Sequence, residues 1–114
     1  MAQFEFIEWL VQWLFQQEDF KFDWDSGNST KSSQKHEIST ESAEQLFRNK
    51  DALVPFGIQI SPKKDEPRFG ALGMDLLGQM LSVCFTLREG KIRVISIRPM
   101  SRSERRRYAS LREE

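Results

Sequence analysis

The sequence predicts an α+β fold in which helices pack on an antiparallel sheet. Two neighbouring apolar runs, MLSVCFTLR and KIRVISIR, read as strands and are joined by Glu89-Gly90, the signature of a hairpin. The order of the remaining patterns supports the class: a helix, a short strand, helical polar segments, a run of strands broken by Pro and Gly, and a final helix.

The first element is a helix over residues 4–17, FEFIEWLVQWLFQQ. Phe4, Ile7, Leu10, Val11 and Leu14 form one stripe, and Phe6, Trp9 and Trp13 a second. A helix apolar over that much of its circumference needs two neighbours, and a second copy of the chain is one option for the outer face. FKFDW at 20–24 alternates as a short strand with Phe20, Phe22 and Trp24 on one side. Asp25 is a natural N-cap, and the polar stretch after it is a short helix or loop. Ser39 caps the next helix, whose inward stripe is Ala43, Leu46 and Phe47 and which ends near Asn49. Residues 53–56 and 58–60 are short extended pieces interrupted by Pro55 and Gly57, and 62–65 is a turn. Residues 68–72 form a strand and 74–78 the turn into the hairpin. Leu81, Val83, Phe85 and Leu87 alternate with smaller or polar residues, so that strand is buried on one face. Pro99 stops its partner, and Ser101 with Glu104 has the spacing of a capping box opening a helix through about Leu111.

A chain of 114 residues supports a single core. Its 17 Lys and Arg balance 17 Asp and Glu, but not evenly. Residues 1–27 hold Glu5, Glu8, Glu18, Asp19, Asp23 and Asp25 against Lys21, whereas the chain from Arg88 onward is mainly basic. A neutral total thus conceals one positive surface. The lone Cys84 sits in an apolar strand, which excludes a disulfide framework or a thiolate metal site. The apolar N-terminal run is too short to span a bilayer and lacks the preceding basic residues of a targeting segment, so a cytoplasmic protein with no membrane association is expected.

The basic residues lie where a polyanion would use them. Arg88, Lys91, Arg93 and Arg98 sit on or beside the hairpin strands, and Arg102, Arg105, Arg106, Arg107 and Arg112 follow on the helix. A guanidinium donates two parallel hydrogen bonds to phosphate, so clustered arginines make an anion site. Arg102, Arg106, Arg107 and Arg112 read more readily as a solvated face, whereas Arg88, Arg93 and Arg98 point to RNA or DNA phosphate. The carboxylates Asp23, Asp25 and Glu66 form no recognisable ligand set, so neither a metal nor any other cofactor is expected.

A series of motifs runs through the chain in order. These are FDWD at 22–25, Lys35-His36, Glu66-x-Arg68, Ala71-x-Gly73, Phe85-Thr86-x-Arg88, Arg93-Val94-Ile95-Ser96-x-Arg98 and Glu104-Arg105-x-x-Tyr108. In this the chain resembles the BrnT family of toxins from type II toxin–antitoxin systems. The resemblance implies a RelE-like antiparallel sheet over residues 20–114, with residues 1–19 as an N-terminal helical extension. It also implies a ribonuclease that acts on RNA, inhibits translation and is neutralised by a ribbon-helix-helix-like antitoxin. The chain departs from the family pattern at Asn28, Ser32 and Glu37, where the family usually places Lys, Asn and Gly. These departures motivate an alternative, a non-catalytic member that binds protein or nucleic acid as a regulator, with a homo-oligomer formed through residues 4–17.

Metal-free RNA cleavage needs a base for a ribose 2′-hydroxyl, an acid for the leaving 5′-oxygen and cations around the phosphate. Arg68, Arg88 and Arg93 are the expected phosphate ligands, and His36, Glu66, Lys35 and Tyr108 are the proton-transfer candidates, Glu66 and His36 foremost. Lys35, Lys91, Arg98, Arg105 and Tyr108 are the expected RNA contacts. Tyr108 can equally pack the helix and Glu66 equally hold Arg68 in place, while a lone histidine such as His36 is more often structural.

Overall fold

The computed structural model describes residues 3–5, 8–25, 28, 38–60 and 67–112. A five-stranded antiparallel meander forms the centre, with strand order β1-β2-β3-β4-β5. The strands are β1 (Gln3–Glu5), β2 (Val54–Ile60), β3 (Phe69–Met74), β4 (Met80–Arg88) and β5 (Lys91–Pro99). Helices α1 (Glu8–Gln16) and α2 (Thr40–Arg48) precede β2, and α3 (Arg102–Arg112) ends the chain.

The N-terminal expectation needs correction. Residues 4–17 are not one helix: Gln3–Glu5 pair with Ile60, Gln59 and Ile58 of β2, and α1 begins only at Glu8. The bare edge of β2 recruits three residues that sequence periodicity assigns to a helix. From α1, Leu10 and Leu14 enter the core, while Trp9 and Phe15 stay 51% and 42% exposed. The segments around Pro55 and Gly57 join into one strand, whose register shifts between those two residues. Phe56 is the additional residue of a β-bulge there, directly after the proline that cannot donate to the ladder.

The strand expected over residues 20–24 reduces to a single bridge at Phe22, whereas the caps and the hairpin turn follow the sequence closely. Ser39 caps α2, its side chain accepting from the Ser42 N–H at 3.0 Å. Glu89 and Gly90 both have positive φ, 53° and 78°, as a tight type I′ hairpin turn requires. The capping box of α3 is complete: Glu104 N–H donates to Ser101 Oγ at 3.2 Å and Ser101 N–H to Glu104 Oε1 at 2.8 Å.

The two faces of the sheet are buried unequally. One carries the main core, where Leu81, Val83 and Phe85 of β4 and Ile92, Val94 and Ile97 of β5 meet Leu10, Leu14, Leu46 and Phe47. Phe47 and Phe85 meet edge to face at 4.9 Å between ring centroids. Gly73 lets α2 approach closely, since a β-carbon there would lie 3.1 Å from the Leu46 side chain. The opposite face has a smaller cluster of Leu72, Met100 and Tyr108, through which α3 covers only one end. The rest of that face carries Arg88, Lys91 and Arg93.

Candidate active site

Alternation along β4 and β5 turns one set of side chains away from the main core. Val83, Phe85 and Leu87 point inward, so Ser82, Cys84, Thr86 and Arg88 point outward. Their cross-strand partners are Arg98, Ser96, Arg93 and Lys91. The register shifts at Cys84/Phe85, where Ile95 is the additional residue of β5. Without this bulge, Arg93 and Arg98, five positions apart, would face opposite sides of the sheet. The hairpin end thus carries Thr86, Arg88, Lys91 and Arg93 together, and the α3 end carries Ser82 and Arg98.

The segment containing Phe22 to Asp25 lies along the outer side of β5. Phe22 makes a parallel bridge with Ile92, whose N–H donates to Lys21 O and whose carbonyl accepts from Asp23 N–H, both at 2.8 Å. Phe22 packs against the core and Trp24 Nε1 donates to Glu44 on α2 at 2.7 Å. Asp23 and Asp25 alternate with these anchored aromatics. Asp25 takes Arg93 in a two-pronged pair, Nη1 to Oδ2 at 3.0 Å and Nη2 to Oδ1 at 3.1 Å. Asp23 Oδ2 lies 3.6 Å from the same guanidinium, whose side chain is only 15% exposed. Hydrogen bonding to Asp25 pushes Arg93 further toward its charged form, opposed by desolvation and by the nearby charge of Arg88. Asp23, Arg88, Glu89 and Lys91 line an open depression of about 430 Å³ beside this pair.

The remaining candidates are distributed differently. Arg68 is exposed immediately before β3, next to Pro67, whose carbonyl accepts from Thr86 Oγ1 at 2.6 Å. It therefore flanks the same end of the face. Arg98 is drawn instead to Glu104, Nη1 to Oε1 at 2.7 Å and Nη2 to Oε2 at 3.0 Å, and so braces the start of α3. Arg105 is exposed on that helix. Tyr108 is buried, its hydroxyl donating to Ala52 O, which gives it the packing role of its two possible ones. Lys35, His36 and Glu66 lie outside the described residues, as do Ser32 and Glu37.

Asn28 has a part that the sequence reading missed. It is buried, its Oδ1 accepting from Asp25 N–H at 2.8 Å and its Nδ2 donating to Asp23 O at 3.0 Å and Val94 O at 3.1 Å. A small amide three residues beyond an aromatic-acidic repeat gives no periodic signal, so only the tertiary contact with β5 reveals it.

Among the described residues, no group of three or more His, Cys, Asp or Glu side chains is placed to hold a metal ion. None of their helices is long and apolar enough to cross a membrane. No curated protein matches the chain. The family model described as the ribonuclease toxin BrnT of type II toxin–antitoxin systems matches residues 24–104, which run from Trp24 through the hairpin to the start of α3. On this match, which covers most of the chain, the protein belongs to the BrnT family of ribonuclease toxins.

Proposed function

We propose that the protein is a metal-independent endoribonuclease toxin whose site is the open hairpin end of the sheet. One observation carries this reading: Arg88, Lys91 and Arg93 converge on one face in adjacent cross-strand rows, beside a depression that Arg88 and Lys91 line. Arg88 and Arg93, flanked by Arg68, bind the scissile phosphate, and Lys91 takes a neighbouring one. The ribose 2′-oxygen attacks phosphorus, the bond from phosphorus to the 5′-oxygen breaks, and the products carry a 2′,3′-cyclic phosphate and a 5′-hydroxyl. His36 and Glu66 are the groups proposed to take the 2′-hydroxyl proton and return one to the leaving oxygen. The guanidinium and ammonium groups offset the negative charge that the phosphorane develops, the role a metal would otherwise fill. Lys35, Arg98 and Arg105 extend the RNA contacts.

Cleavage of RNA in the cytoplasm inhibits translation, and a ribbon-helix-helix-like antitoxin restrains it by covering the basic face. Residues 1–19 are an addition to a toxin domain at 20–114. Trp9 and Phe15, exposed on α1, are the contact proposed for a homo-oligomer.

Cleavage of a 5′-labelled RNA in EDTA by the purified protein, beside an Arg88→Ala/Arg93→Ala variant, tests the reading. Cyclic-phosphate ends made by the natural protein and lost in the folded variant support it. Cleavage retained by that variant removes the sheet face from the site. Binding without cleavage by the natural protein favours the second reading, a non-catalytic regulator, which the amide at Asn28 in place of the family's lysine motivates.

A further inference from the structure

We propose that Asp25, tethered by Asn28, is a positioning residue that aims the Arg93 guanidinium at the phosphate of bound RNA. The inference rests on reading the open sheet face as the RNA site. Asp25 meets Nη1 and Nη2, the end of the guanidinium. A carboxylate there fixes the plane of the group and leaves its Nε–H edge to engage a second oxyanion, because a guanidinium presents donors along more than one edge.

The acidic segment is itself fixed on both sides of Arg93. Before the arginine, Ile92 O accepts from Asp23 N–H at 2.8 Å. After it, Val94 O accepts from Asn28 Nδ2 at 3.1 Å. Asn28 also holds the loop internally, through Asp25 N–H and Asp23 O at 2.8 and 3.0 Å, and its own N–H reaches Asp25 O at 3.2 Å. Asn28 is 7% exposed. Its donors and acceptor are thus directed at keeping the Asp25 carboxylate in register with one strand residue. A surface ion pair made only for stability would not need a buried amide beneath it.

The sign of one substitution separates this role from plain electrostatics. Removing a carboxylate from beside a phosphate site should tighten RNA binding if only charge matters. If Asp25 aims Arg93, removing it weakens binding. The measurement is the affinity of the full chain for a 2′-O-methyl RNA oligonucleotide, which cannot be cleaved, with a thermal melt for each variant. We expect Asp25→Ala to weaken binding about tenfold, as loss of an oriented charge-assisted contact does, with Asp25→Asn intermediate. In an Arg93→Ala background Asp25→Ala should change nothing further, since the two act as a unit. Asn28→Ala should weaken binding in the same direction.

Equal or tighter binding by Asp25→Ala overturns the proposal, as do additive effects of Asp25→Ala and Arg93→Ala. The Asp25 side chain is 55% exposed, so its truncation spares the core. Failure of the natural protein to bind the oligonucleotide would instead sink the reading of the face as an RNA site, and the positioning role with it.

Discussion

Arg93 and Arg98 stand on the same strand and the same face, and each is gripped by a carboxylate through two hydrogen bonds. Their partners make them different. Arg98 pairs with Glu104, six residues on, inside the capping box that starts α3, so its charge is spent on seating a helix. Arg93 pairs with Asp25, 68 residues away, on a segment that borders an open depression. A local pair strengthens a local element, whereas a distant pair fixes the geometry between two parts of the chain. Counting arginines in a basic run cannot distinguish these uses.

The contrast is broken most forcefully by removing the cations at the open end. Arg88→Ala/Arg93→Ala should lower RNA cleavage by at least about 10³-fold, roughly 4 kcal/mol of transition-state stabilisation. Arg98→Ala should lower it by no more than about threefold, as a rim contact does. A large loss in Arg98→Ala with α3 intact would erase the distinction between the two ends. Tyr108→Ala should have the reverse profile, destabilising the fold by about 3–4 kcal/mol in a denaturant titration by emptying the small second core.

Asn28→Ala is expected to cost about 1–3 kcal/mol, because it leaves the buried Val94 carbonyl and partly buried backbone groups of Asp23 and Asp25 without this partner. Its effect should reach RNA binding, unlike that of Tyr108→Ala.

Glu104 gives a smaller, pH-dependent test. Burial works against its charge, but hydrogen bonds from Arg98 and Ser101 outweigh it and hold the carboxyl below its ordinary range. A depressed folded-state pKa contributes stability that is complete above the ordinary value of about 4 and is lost as pH falls through the folded value. Glu104→Gln should cost about 1 kcal/mol at neutral pH and flatten that part of the acid limb in melts between neutral and acidic pH. An unchanged acid limb would show that the pair is not formed in solution.

Much of the fold is legible in the chain because it is written in local chemistry. The alternation in β4, the Glu89-Gly90 turn and the boxes around Ser39 and Ser101 each follow from spacing within a few residues. The candidate site was legible only as a set of residues: the basic run singles out Arg88, Lys91 and Arg93, but their shared face comes from strand pairing, and Arg98 and Tyr108 turn out to contact α3 and Ala52. Strand β1 was misread because apolar residues at helical spacing also suit a strand when an unpaired edge is available.

The sequence by itself determined the class of fold, the hairpin, the helix caps and the family, since all of these rest on residue order and short-range backbone preference. Only the tertiary structure decided which arginines share a face and which carboxylate each one meets. It also decided that Asn28 lies buried against Val94. The physical reason is that a bulge at Ile95 and a parallel bridge from Phe22 to Ile92 set these distances. Both are products of pairing between strands, and no local preference of either segment encodes them.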